Sequence, residues 1–229
     1  MLFKRATSAP GTNVRDLRRL DARWHALNDP FTLNDHTGPD RGSSVLIEIG
    51  RRPLVFSAPH AVHHFRDGQL KTNDANTGGL AIALARQLGG SAIALRRGGH
   101  EFGDPNADLD HPLKREAVAL VGPGVTLVDV HGMADREHDV IIGLGAAPTV
   151  GSGQLAERFV VVAAQHGIVA TIADADTGFN AKGATTMTTW ASARGASALQ
   201  LEIARRLRSV KAPPDRRTAL LRTFLDVFA

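Results

Sequence analysis

Short apolar runs separated by amphipathic stretches begin at Val45 and continue to the end of the chain. Val45-Leu46-Ile47-Glu48-Ile49 and Leu54-Val55-Phe56 read as two adjacent strands, joined as a hairpin across Gly50-Arg51-Arg52. Thr77 to Leu88 predicts a helix, with Leu80, Leu84 and Leu88 recurring every fourth residue before the stop at Gly89-Gly90. Ser91 to Leu95 predicts a strand, Leu113 to Leu120 a helix, and Val125 to Val130 a central strand. Further strands are expected at Asp139 to Gly143, Ile168 to Ile172 and Ala198 to Ile203, with helices at Gln154 to His166 and Arg216 to Phe228. Strands alternating with helices predict a single α/β domain, a three-layer sandwich around a mixed, largely parallel sheet. Residues 1–44 are polar and poorly periodic, which predicts an N-terminal extension packed on a domain of residues 45–229.

Composition narrows the classes. A chain of 229 residues, 43% apolar and 22% charged, can bury one substantial core. The net charge is only +4, and basic residues cluster near both ends without a nucleic-acid-reading motif or any Tyr for base stacking. No nucleic-acid partner is therefore expected. The absence of Cys excludes thiolate ligands and a cysteine nucleophile, and fits a reducing compartment. With no apolar stretch of ~18 residues and no signal-peptide core after Met1, a cytoplasmic protein is expected. Nucleotide fingerprints and a G-x-S-x-G elbow are missing as well.

The chemistry is concentrated at predicted strand ends. His60 and His63 follow the run Pro53 to Pro59, and His131 follows Val125 to Val130. Open α/β sheets place ligands at such ends. Two imidazoles from one short segment and a third from a separate strand form a plausible zinc shell with one open position. His64 is the spare, able to meet substrate or to replace His63 as ligand. In Asp129-Val130-His131-Gly132 the acid and the imidazole share one strand face, so Asp129 can orient a ligand or be one. Alternation likewise puts Gln200 and Glu202 together, opposite Leu199, Leu201 and Ile203. A Glu on such a strand suits a general base, the alternative being a structural carboxylate paired with Arg205 or Arg206.

Several of these segments resemble the N-formylglutamate amidohydrolase family, within the wider zinc-carboxypeptidase and aspartoacylase-like group. They are Phe56-Ser57-Ala58-Pro59-His60, Asp74-Ala75-Asn76-Thr77, Leu127 to Gly132, the Asp176 to Gly183 loop with Thr185-Thr186, and Ala198 to Ala204. The resemblance runs from about Val45 to Arg208 and implies a zinc-carboxypeptidase-like fold. It implies metal ligands at His60, His63 and His131, with His63 standing where the group has Glu, and a general base at Glu202. It also implies an arginine for the oxyanion, Arg96 or Arg97, and an Asn-Arg pair for a substrate carboxylate. Asn106 supplies half of that pair, but position 107 is Ala. Arg115 or the loop containing Asn180 would have to compensate. The function expected is zinc-dependent hydrolysis of an amide bond in a small acidic N-acyl amino acid. The alternatives are a zinc peptidase acting on peptide or cell-wall fragments, and a non-catalytic binding protein on the same fold.

Overall fold

The computed structural model describes residues 13–100, 102–174 and 177–229, so the start of the N-terminal extension and Asp176 lie outside it. Seven strands form the main sheet: β1 (Val45–Glu48), β2 (Leu54–Ala58), β5 (Ser91–Leu95), β6 (Thr126–Met133), β7 (Val140–Gly143), β8 (Ala170–Ile172) and β9 (Ser197–Ala204). Their order is β1-β5-β2-β6-β9-β7-β8, with β5, β2, β6 and β9 parallel. β1 runs antiparallel to β5, and β7 antiparallel to β9. The fold is thus the mixed, largely parallel sandwich that the periodicity predicted.

One pairing differs from expectation. β1 and β2 are not a hairpin, because β5 lies between them and bonds to both. The fully buried run Ser91–Leu95 competes for that central place and wins it by burying both faces. A true hairpin occurs instead at β3 (His64–Arg66) and β4 (Gln69–Lys71), where the apolar pattern predicts no strand. Its turn, Asp67-Gly68, has φ of 53° and 72°, as a tight two-residue hairpin turn requires.

The sheet is covered on both sides. Helix α3 (Thr77–Leu88) lies on β2 and β5, while α5 (Val150–Gln165) and α8 (Pro214–Phe228) pack against each other on the same side. Phe56, Phe159, Phe224 and Phe228 meet there in edge-on and stacked pairs. Burying each ring contributes roughly 1.5–3 kcal/mol. On the other face, α4 (Pro112–Ala117) lies near β5 and α6 (Met187–Ala193) near β6 and β9, while the short α7 (Arg205–Arg208) follows β9.

The segment before β1 holds more structure than its weak periodicity predicts. It contains α1 (Val14–Ala26), capped by Asn13, and the short α2 (Asp29–His36). Leu17, Leu20 and Trp24 of α1 are buried against α3 and α8. Asp21 forms a buried bidentate pair with Arg217 of α8, at 2.7 and 2.8 Å. Removing one partner of such a pair costs about 3–5 kcal/mol. The Trp24 indole N–H also donates to the Asn76 carbonyl at 2.7 Å, bracing the turn that carries Asp74.

Candidate metal centre and catalytic cleft

Strand register builds the floor of the site. On neighbouring parallel strands Asp129 pairs with Gln200, and His131 with Glu202. Because side chains alternate, all four point to one face near the carboxyl ends of β6 and β9. Gln200 donates to Glu202 at 2.9 Å. His60 arrives from the turn after β2, and Asp74 from the turn before α3, where its backbone N–H donates to the His60 carbonyl at 2.8 Å.

Three donor side chains converge here: His60, Asp74 and His131, with ligand atoms all within 4.8 Å of one another. Asp74 Oδ2 stands 3.2 Å from His131 Nδ1 and 3.6 Å from His60 Nδ1. The far nitrogen of each ring is held by a buried carboxylate. His131 Nε2 meets Asp129 at 3.1 Å, and His60 Nε2 meets Asp104 at 2.8 Å. If each far nitrogen donates its proton to that carboxylate, each Nδ1 presents a lone pair toward Asp74. Two oriented neutral imidazoles and one carboxylate fit the donor set of a zinc site with an open position.

The orienting carboxylates are themselves held. Asp129 accepts from Ser57 Oγ at 2.6 Å and from Thr188 Oγ1 at 3.5 Å. Asp104 accepts from the Asn106 backbone N–H at 2.8 Å and from Arg66 Nε. Burial opposes charge on Asp74 and Asp104, yet the neighbouring histidines outweigh it and hold both well below the usual carboxylate range. Burial likewise opposes charge on His60 and His131, but the acids facing them raise both. Glu202 is raised, chiefly by burial and against the pull of His131.

A second group, His60, His64 and Asp104, also comes together. Its carboxylate already carries Arg66, so a cation there would have to displace a guanidinium. His64 stacks on His60 with ring centroids 4.1 Å apart, and burial lowers its pKa to about 4. The first group opens onto a cleft of ≈ 830 Å³; the second does not supply His64 to its lining.

The expected site residues are distributed unevenly. His60, His131, Glu202, Asn106 and Asn180 line the cleft. His63, three residues from His60, turns the other way: its Nδ1 accepts from the Asn73 N–H at 2.8 Å and its ring faces His36. The chain enters the β3 hairpin directly after it, so no helical turn aims both rings at one point. Arg96 and Arg97 follow β5 and bond through their backbone N–H groups to Ser44, with Arg97 over the Phe102 ring; neither lines the cleft. Arg115 pairs with Asp110 on the exposed side of α4. The Asn106 amide oxygen is taken by the Met187 N–H at 3.0 Å, leaving its nitrogen toward His131.

Cleft cations come from elsewhere: Arg66 on β3, Arg136 after β6, and Lys182. Among the described residues Arg66 Nε meets Asp104, and no partner is found for its two terminal nitrogens. Asp74 and Asp104, which face the two imidazoles, are likewise not marked by any spacing in the sequence. Asp74 belongs to the segment Asp74-Ala75-Asn76-Thr77, but nothing local in the sequence signals its closeness to His60.

No family model and no curated protein sequence matches the chain. Solved structures do, by shape. The chain has the α/β fold of a poly-γ-glutamate hydrolase and of an N-formylglutamate amidohydrolase. A bacteriophage poly-γ-glutamate hydrolase superposes with a TM-score of 0.56 at 18% identity, covering 82% of this chain and 90% of that one. N-formylglutamate amidohydrolase from Ralstonia eutropha gives 0.51 at 14%, covering 80% and 97%. The tripeptide-bound cell shape determinant Csd4 of Helicobacter pylori gives 0.51 at 12%, covering 80% and 54%. No helix among the described residues is long and apolar enough to cross a membrane.

Proposed function

We propose that the protein is a zinc-dependent amidohydrolase acting on an acidic N-acyl amino acid or a closely related acidic amide. The observation that carries this reading is the convergence of His60, Asp74 and His131 on one point beside Glu202, on the floor of an open cleft. In this reading Asp74 takes the ligand place that the sequence suggested for His63. A bound zinc would polarise the scissile carbonyl and lower the pKa of water to about 7.

The chain's own residues supply the remaining roles. Glu202, next to His131 in register, accepts a proton from the attacking water and passes it to the leaving nitrogen. Gln200 holds one Glu202 oxygen and leaves the other for the reaction. Asp104 and Asp129 fix the imidazole tautomers. Arg66, which lines the cleft and holds Asp104 through its Nε, suits the developing oxyanion or a substrate carboxylate, and Arg136 and Lys182 extend positive charge along the wall.

The volume of ≈ 830 Å³ favours a second reading in which the substrate is an acidic peptide or oligomer. The solved relatives named above are said to act on poly-γ-glutamate or to bind a tripeptide, which supports testing longer amides.

The test uses tag-free protein. Stoichiometric zinc and release of formate from N-formylglutamate support the first reading; cleavage confined to γ-glutamyl oligomers supports the second. Glu202→Gln should keep its zinc and lose kcat by roughly 10²–10⁴-fold. Metal-free protein with no amidase activity after zinc addition would exclude both.

A further inference from the structure

Lys114 lies on α4, and its side chain is buried. Its ammonium donates to the Pro105 carbonyl, to Asp108 O at 2.6 Å and to Thr185 O at 2.5 Å. A buried ammonium is costly unless its protons are placed, and here three N–H donors meet three carbonyls. The charged groups facing it are the carboxylates of Asp104, Asp108 and Asp129, all of which favour the ammonium.

The three acceptors belong to two separate walls of the site. Pro105 and Asp108 belong to the irregular loop that carries Asp104 and Asn106, and Thr185 lies on the Asn180 to Thr186 wall. The same walls are joined by Thr185 Oγ1 donating to Asn106 O at 2.6 Å and by Met187 N donating to Asn106 Oδ1 at 3.0 Å. Asp104 is the first residue of this fastened loop and, among the described residues, the group that holds the far nitrogen of His60.

We propose that Lys114 is a positioning residue: a three-way brace that fixes the Asp104 loop to the opposite cleft wall, keeps Asp104 on His60 and so sets the metal affinity of the centre. The affinity part rests on the reading of His60 as a zinc ligand; the brace itself does not. A role limited to general stability would weaken zinc independently of Asp104, whereas a brace acts through it.

Zinc affinities measured by competition with a chromophoric chelator distinguish these, using Lys114→Met, Asp104→Asn, the double variant and Lys114→Arg. Lys114→Met should weaken zinc by roughly 10-fold or more, within the range for residues that orient ligands. The double variant should bind no more weakly than Asp104→Asn alone, and Lys114→Arg should recover part of the loss. Amide hydrogen exchange, read on metal-free protein, should rise in peptides covering residues 103–109 and 183–188 and stay unchanged in β6 and β9. Wild-type exchange in both loops of Lys114→Met would overturn the brace, and losses that multiply in the double variant would overturn its action through Asp104. Should Lys114→Met fail to fold, Lys114→Gln, with two N–H donors on a shorter arm, carries the same comparison. Wild-type protein that binds no zinc would overturn the affinity part and leave the exchange result to decide the brace.

Discussion

The two imidazoles of the candidate metal centre are oriented alike but built differently. On the strand side, Asp129 and His131 lie two residues apart on β6, and their contact follows from the pleat. On the loop side, His60 and Asp104 are separated by 44 residues and meet only because a turn, an irregular loop and a buried lysine hold them together. The strand side inherits its precision from backbone hydrogen bonds to β2 and β9. The loop side depends on side-chain contacts: Arg66 on the acid, Lys114 on its loop, and the Asn106 links to Thr185 and Met187. A site can thus share one chemistry while its halves differ in what would loosen them.

The largest expected effect treats the halves equally. His131→Ala and His60→Ala should each reduce zinc from stoichiometric to near zero after dialysis, read by metal analysis. Full occupancy in either variant would remove that imidazole from the centre.

The orienting acids should separate the halves. Asp129→Asn and Asp104→Asn should each weaken zinc by roughly 10–100-fold. Asp129→Asn should also lower the melting temperature of metal-free protein more, because Asp129 stands inside β6, between β2 and β9, whereas Asp104 stands on an irregular loop. An equal or larger melting loss in Asp104→Asn would contradict the proposed contrast.

Glycine substitutions sharpen it further. A Cβ on Gly132 would stand 2.2 Å from the Arg208 guanidinium carbon, and that group is tied to Ile203, Ala75 and Met133 carbonyls. Gly132→Ala should therefore cost about 1–3 kcal/mol in urea unfolding. Gly103, beside the loop acid, has φ of +65° and open space around it, so Gly103→Ala should cost only about 1 kcal/mol, from backbone conformation. The opposite ranking would mean that the loop side is the more tightly packed.

The loop side should also show a pH dependence. His111 caps α4, accepting from the Leu113 N–H, and burial pulls its pKa from the ordinary 6.5 to about 4. The unfolded chain takes up the proton first, so the stability from a neutral His111 is present above about 6.5 and is lost as pH falls toward 4. His111→Asn keeps a capping side chain without the titration. Urea midpoints of wild type should fall more than those of the variant between neutral pH and about 4.5; parallel curves would show that His111 does not titrate in this way.

How far these features were readable varies along the chain. The strand side was legible because period-two alternation is a local property: Asp129 with His131, and Gln200 with Glu202, could be placed on one face from spacing alone. Most helices and strands after Val45 were readable for the same reason. His63 shows where spacing fails. A three-residue interval predicts a shared direction only within a helix, and the chain there turns into a hairpin that sends His63 toward His36.

By itself, then, the sequence determined the alternating α/β order, the polar strand ends and the absence of thiol chemistry. Tertiary structure decided that β5 separates β1 from β2, that Asp74 joins His60 and His131, that Arg66 faces the cleft while Arg96 and Arg97 do not, and that Lys114 fastens the Asp104 loop. The physical reason is range. Periodicity reports which side of its own element a residue occupies, whereas these contacts join residues whose distance in the chain carries no period, and only the packing of the whole core brings them within a hydrogen bond of one another.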